Sequence, residues 1–113
     1  MKEQLTTLIE NLKSNSVAFK EVIEFIDSNY QHQPTAFKNG KLSNEASQNQ
    51  GSARVFAFAQ LNNLPETDTL YLFAEHYQAV LQTPDGTDHQ NIRQFMMHGW
   101  TGISFEGQAL SVK

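Results

Sequence analysis

Apolar residues recur along this chain at helical spacing, and every such stripe stops after three turns or so. The stripes are Leu5, Leu8, Ile9 and Leu12, then Phe19, Val22, Ile23, Ile26 and Tyr30, then Val55, Phe56, Phe58 and Ala59 with Leu61 at the end. Two more follow, Leu70, Phe73, Ala74, Tyr77 and Leu81, and Ile92, Phe95, Met96 and Gly99. An i, i+3, i+4, i+7 pattern places one apolar face on a helix. Helices this short are marginal alone and hold only when those faces pack together. The breaks carry their own signals. Ser14, Asn15 and Ser16 offer cap oxygens to the second helix, and Pro34 ends it before Gln33. Pro65, with Glu66 and Asp68 behind it, opens a fourth helix, and Pro84-Asp85-Gly86 is a turn. Thr87 and Gln90 have capping-box spacing, with Thr87 as the expected N-cap of the fifth helix.

Between the second and third stripes the pattern changes. Phe37-Lys38-Asn39-Gly40-Lys41-Leu42 centres Asn-Gly between short arms, which predicts a type I′ hairpin over 35–42. Ser43 to Gln50 reads as a polar loop, and Ser52 as a cap for the third helix. Ile103 and Phe105, between Gly102 and Gly107, predict a short strand near 102–106 that pairs with the hairpin. The expected fold is mainly α, about five helices with a small antiparallel β element. At 113 residues and 39 % hydrophobic, the chain can fill one core, so residues 1–113 read as a single domain.

Composition removes several function classes. Eight Lys and Arg against twelve Asp and Glu leave −4, the wrong sign for a nucleic-acid binder. No apolar run is long enough to span a bilayer, and no export leader is visible. Without cysteine there is no thiol nucleophile, disulfide or Cys-ligated metal.

The remaining candidates fall in two blocks. Asp85, Asp88 and His89, with His76 and His98 as recruits, are metal-ligating types, but their spacing matches no established metal motif. Turn and cap roles explain the same residues, so neither metal nor cofactor is expected. Arg54 and Arg93 stand in a stretch almost free of other basic residues, suited to an anionic ligand or to an internal carboxylate such as Asp88 or Glu75. Asn39, Asn44, Asn49 and Ser52 could line a polar pocket or simply order a turn and a loop. No nucleophile elbow is present, while His89 or His76 could serve as a general base. Trp100 with Met97 could face a protein partner.

Several strings resemble the HopJ family in order and spacing: Pro34-Thr35-Ala36-Phe37 with Asn39-Gly40, Asn49 through Phe56, Pro84 through Phe95, and His98-Gly99-Trp100. The likeness runs from about Phe19 to Leu110. It implies small bacterial proteins without an established catalytic activity, labelled type III effectors through one plant-pathogen member. A regular stripe beginning at Leu5 leaves little of the disordered leader that such secretion usually reads, so the cytoplasm is the expected location. The leading expectation is a binding module for a small polar or anionic ligand or a protein, with no nucleic-acid or membrane partner. Its pocket lies between residues 39–54 and 85–100, with Asn39, Asn49, Ser52, Arg54, Asp88, His89, Arg93 and Trp100 as site residues. The alternatives are a small hydrolase or transferase using His89 with Asp88 or Glu75, and a secreted effector acting on a host protein.

Overall fold

Phe56 and Phe58 point to different sides of one helix, and both are fully buried. That helix, α3 (Gln50–Leu61), also buries Ala53, Val55, Ala57 and Ala59, so the rest of the chain wraps it. In the computed structural model, residues 2–113 are described and form six α-helices and five short strands. Before α3 come α1 (Lys2–Lys13), α2 (Phe19–Asn29), β1 (Tyr30–His32), β2 (Phe37–Asn39) and β3 (Leu42–Asn44). After it come α4 (Glu66–Tyr71), α5 (Glu75–Gln82), α6 (Gln90–His98), a 3-10 turn (Gly99–Gly102), β4 (Ile103–Phe105) and β5 (Leu110–Val112). Phe58 meets Phe25 of α2 and Tyr30 edge-on, with ring centroids 6.0 and 5.6 Å away. Phe56 on the other side meets Phe73 at 5.4 Å and Phe95 of α6 at 5.0 Å. Edge and tilted contacts of this kind add to burial of the rings themselves. No helix among the described residues is long and apolar enough to cross a membrane.

The mainly α architecture with a small antiparallel β element is the one expected, and β4 does pair with the hairpin. The order is β3-β2-β4, with Phe37 opposite both Asn44 and Phe105. The turn itself is shifted by one residue. Asn39 belongs to β2, and Gly40-Lys41 make the turn with positive φ at Gly40 alone, the type II′ pattern rather than I′. The shift carries the Asn39 side chain into the interior, where it is bonded to α6. A second ladder pairs β1 with β5, Tyr30 opposite Val112 and His32 opposite Leu110, and was not expected from the sequence.

Helix count differs from the expected five because the fourth stripe is broken. Ala74 takes φ 52°, ψ −124°, separating α4 from α5. A non-glycine residue there is strained by roughly 1–3 kcal/mol and persists only where the surroundings impose it. The break drops Phe73 onto Phe56 and lets the Glu75 carboxylate accept the Phe19 N–H at 2.7 Å. Helix starts differ as well. The Ser14 and Ser16 hydroxyls donate to Asn11 O at the end of α1 rather than capping α2. Thr87 is not the N-cap of α6, although the Gln90 amide does reach back, donating to Thr87 O at 2.7 Å.

β1 also holds a pH-sensitive contact. His32 Nε2 meets Gln50 Oε1 at 3.2 Å, and Gln50 Oε1 also accepts the Thr35 N–H at 3.0 Å. Burial, then the nearby Arg54 guanidinium, hold the imidazole below its ordinary range, outweighing Gln50 and Asp27. The folded state therefore binds the His32 proton less readily than the unfolded chain. The contribution is complete above about pH 6.5 and is lost as pH falls through the folded-state value. His32→Gln should flatten urea-derived stability between pH 7 and 5, whereas an unchanged slope would remove His32 as its source.

Candidate functional site

Helices usually begin at an extended residue whose side-chain oxygen caps the first turn. None of α2 to α6 has a side-chain cap hydrogen bond at its start, and α3 and α6 also begin in the left-handed α conformation. Asn49 precedes α3 at φ 52°, ψ 38°, and His89 precedes α6 at φ 51°, ψ 49°, and neither side chain caps its helix. The left-handed conformation is accessible to Asn and His more readily than to most side chains. It leaves the N–H groups of Gly51 and Ser52, and of Gln90 and Asn91, without an acceptor among the described residues. First-turn N–H groups carry the positive end of the helix dipole.

Both helix starts open onto one cavity of about 410 Å³. Asn49, Gly51 and Ser52 line it from α3, and His89, Gln90, Asn91 and Ile92 from α6. Leu42, Phe19, Phe73 and His76 complete the wall. The rings form a continuous row: Phe73 stacks on Phe19 at 6.0 Å, Phe19 meets His76 at 4.9 Å, and His76 meets His89 at 5.0 Å. No acidic residue lines the cavity. Two carboxylates precede lining residues in the chain, and each has one oxygen engaged. Glu75 takes the Phe19 N–H, and Asp88 Oδ1 accepts from Arg93 Nη2 at 2.7 Å. The Arg93 hydrogen bond holds the Asp88 carboxyl below the usual carboxylate range.

A buried amide cluster fixes the two helix starts against the hairpin. Asn44 Oδ1 accepts from Asn49 Nδ2 at 2.7 Å and from Asn91 Nδ2 at 3.0 Å. Asn39 Nδ2 donates to Asn91 O at 2.7 Å and to Asn91 Oδ1 at 3.0 Å. One side chain in β3 thus holds both walls. Arg93 braces the approach to α6, donating to Asp88 O at 2.6 Å and to Thr83 O at 2.8 Å.

Of the residues singled out in the sequence, Asn49, Ser52, His76 and His89 come together on the cavity. The others do not line it. Asn39 is fully buried in the amide cluster, because the shifted turn points it inward. Arg54 lies elsewhere on α3, its Nε 2.9 Å from Asp27 Oδ1. Arg93 and Asp88 form the loop brace, with Asp88 Oδ2 3.9 Å from His89 Nε2. Trp100 packs on Phe95 at 5.0 Å and donates its indole N–H to Leu64 O at 3.2 Å. Among the described residues no group of three or more His, Asp or Glu is placed to hold a metal. Phe19, Phe73 and Gly51 were not singled out as site residues. The two rings sit on core stripes, which conceals their cavity-facing role, and Gly51 carries no side-chain signal at all.

No curated protein matches this chain. A solved structure titled "Crystal structure of unknown function protein VPA0580" has the same fold, with a TM-score of 0.88 and 41% identity, over 96% of this chain and 92% of that one. The profile of the family described as HopJ type III effector protein matches residues 5–110, nearly the whole length. The chain belongs to the HopJ family.

Proposed function

We propose that this protein is a binding module whose ligand is a small anion held between the starts of α3 and α6. The observation that supports it is the pair of uncapped helix N-termini on one cavity whose lining includes no carboxylate. Backbone N–H groups at such ends suit phosphate or carboxylate oxygens. The Ser52 hydroxyl and the His76 and His89 imidazoles add polar groups to the same wall. The hydrolytic alternative would pair His89 with Asp88, whose Oδ2 lies 3.9 Å from His89 Nε2, but that carboxylate is 66% exposed and already held through Oδ1 by Arg93, which favours binding instead.

Gly51 provides the test. A methyl group there would lie 3.6 Å from Cε2 and Cζ of Phe19, an ordinary contact, and would occupy the space between the α3 N–H groups and that ring. Replacing a helical glycine also favours the helix by up to about 1 kcal/mol. Gly51→Ala should therefore melt no lower than the parent while binding inorganic phosphate at least tenfold more weakly by calorimetry. Equal affinity in the variant, or no saturable binding by the parent protein, would overturn the proposal. A cytoplasmic location is part of this reading. The family's name adds the reading of a secreted effector acting on a host protein, and apparatus-dependent release from intact cells would favour that role instead.

A further inference from the structure

We infer that the ligand of this cavity is an aromatic anion, a small aryl phosphate or aryl carboxylate rather than an inorganic ion. The inference rests on the anion-binding reading and goes on to name the rest of the molecule. A cavity of about 410 Å³ falls in the range of organic ligands, and an ion of five heavy atoms would fill little of it. What surrounds the remaining space is apolar or aromatic. Leu42 and Ile92 contribute aliphatic surface, and Phe73, Phe19, His76 and His89 follow one another in a row of four rings. Flat rings take offset or edge-on positions against such a row, which aliphatic chains fit less specifically.

The two halves of the cavity adjoin each other. The 3.6 Å separation between a Cβ built on Gly51 and the Phe19 ring shows that the first turn of α3 stands directly beside the aromatic row. An anionic group seated on the Gly51 and Ser52 N–H groups therefore has its substituent over Phe19 and His76. The polar end fixes orientation and the ring supplies most of the buried apolar area, the usual division of labour in a small-molecule pocket.

Calorimetric titration of the full chain with phenyl phosphate, inorganic phosphate, benzoate, acetate and phenol tests this. Phenyl phosphate should bind at least tenfold more tightly than phosphate, and benzoate at least tenfold more tightly than acetate. Phenol should bind more weakly than either aryl anion. Whichever aryl anion binds more tightly identifies the head group as phosphate or carboxylate. Phe19→Leu, which keeps apolar bulk and removes the ring, should reduce the aryl advantage severalfold, and an unchanged advantage in the folded variant would overturn the inference. The ligand series on the unmodified protein decides the matter even if that variant does not fold. Aryl and simple anions binding equally would overturn this inference and leave the anion site standing. No saturable binding by any anion would overturn both, and phenol binding as tightly as phenyl phosphate would show an apolar site without an anion requirement.

Discussion

Replacing Arg93 with alanine is expected to lower the unfolding free energy by about 2–4 kcal/mol and to abolish measurable anion binding, because one buried guanidinium organises the whole approach to α6. Its side chain is almost entirely enclosed, and it donates to the carbonyls of Thr83 and Asp88, to the Thr83 hydroxyl and to the Asp88 carboxylate. The ion pair with Asp88 is the minor part, since that carboxylate is 66% exposed and screened by solvent. The weight lies in the backbone carbonyls, which set the path of residues 83–89 and so the left-handed turn at His89. Arg93→Lys should recover only a fraction, because one ammonium group cannot reproduce the planar fork. Urea denaturation and phosphate calorimetry on the same two variants check both effects. An alanine variant within about 0.5 kcal/mol of the parent would show that the brace contributes little, the behaviour of ordinary surface changes.

Asn91→Leu is expected to cost about 3 kcal/mol through a different route. Asn91 takes hydrogen bonds from Asn39 and Asn44 and gives one to Asn44, all in the interior. A leucine of similar size would remove three buried amide hydrogen bonds, at roughly 1 kcal/mol for each, leaving Asn39 Nδ2 with the Asn91 carbonyl alone and Asn44 with Asn49 and the long contact to Phe37 O. Leucine at both Asn44 and Asn91 should be less destabilised than the sum of the two single changes, since the variant removes both ends of the same bonds. Strict additivity in that double-mutant cycle would mean that the two amides are not coupled across the hairpin and α6.

Periodicity made the helical part of this fold legible. Leu5 to Leu12, Phe19 to Tyr30, Val55 to Ala59 and Ile92 to Phe95 each hold an inward face that the structure buries or half-buries. Periodicity could not show the break at Ala74, because alanine gives no sign of a positive-φ break in a stripe that otherwise keeps its spacing. Asn-Gly located the hairpin correctly and its turn one residue too early, and that single step turned Asn39 from a candidate ligand contact into an interior clamp. The cavity was half legible. Asn49, Ser52 and His89 belonged to the polar blocks on either side of it. Arg54 and Arg93 were noticed for the scarcity of basic residues around them, and both side chains have internal partners. The main feature, two helices starting without caps on a shared space, depends on backbone angles that no side-chain pattern encodes.

Amide chemical shifts followed by NMR during a phenyl phosphate titration bear on all of this most directly. The expected result is that the Gly51, Ser52, Gln90 and Asn91 N–H resonances move together and saturate with one dissociation constant, while the Arg54 and Trp100 amides stay in place. Movement confined to other surfaces, or α3 and α6 responding with separate constants, would mean that the two helix starts do not hold a common ligand.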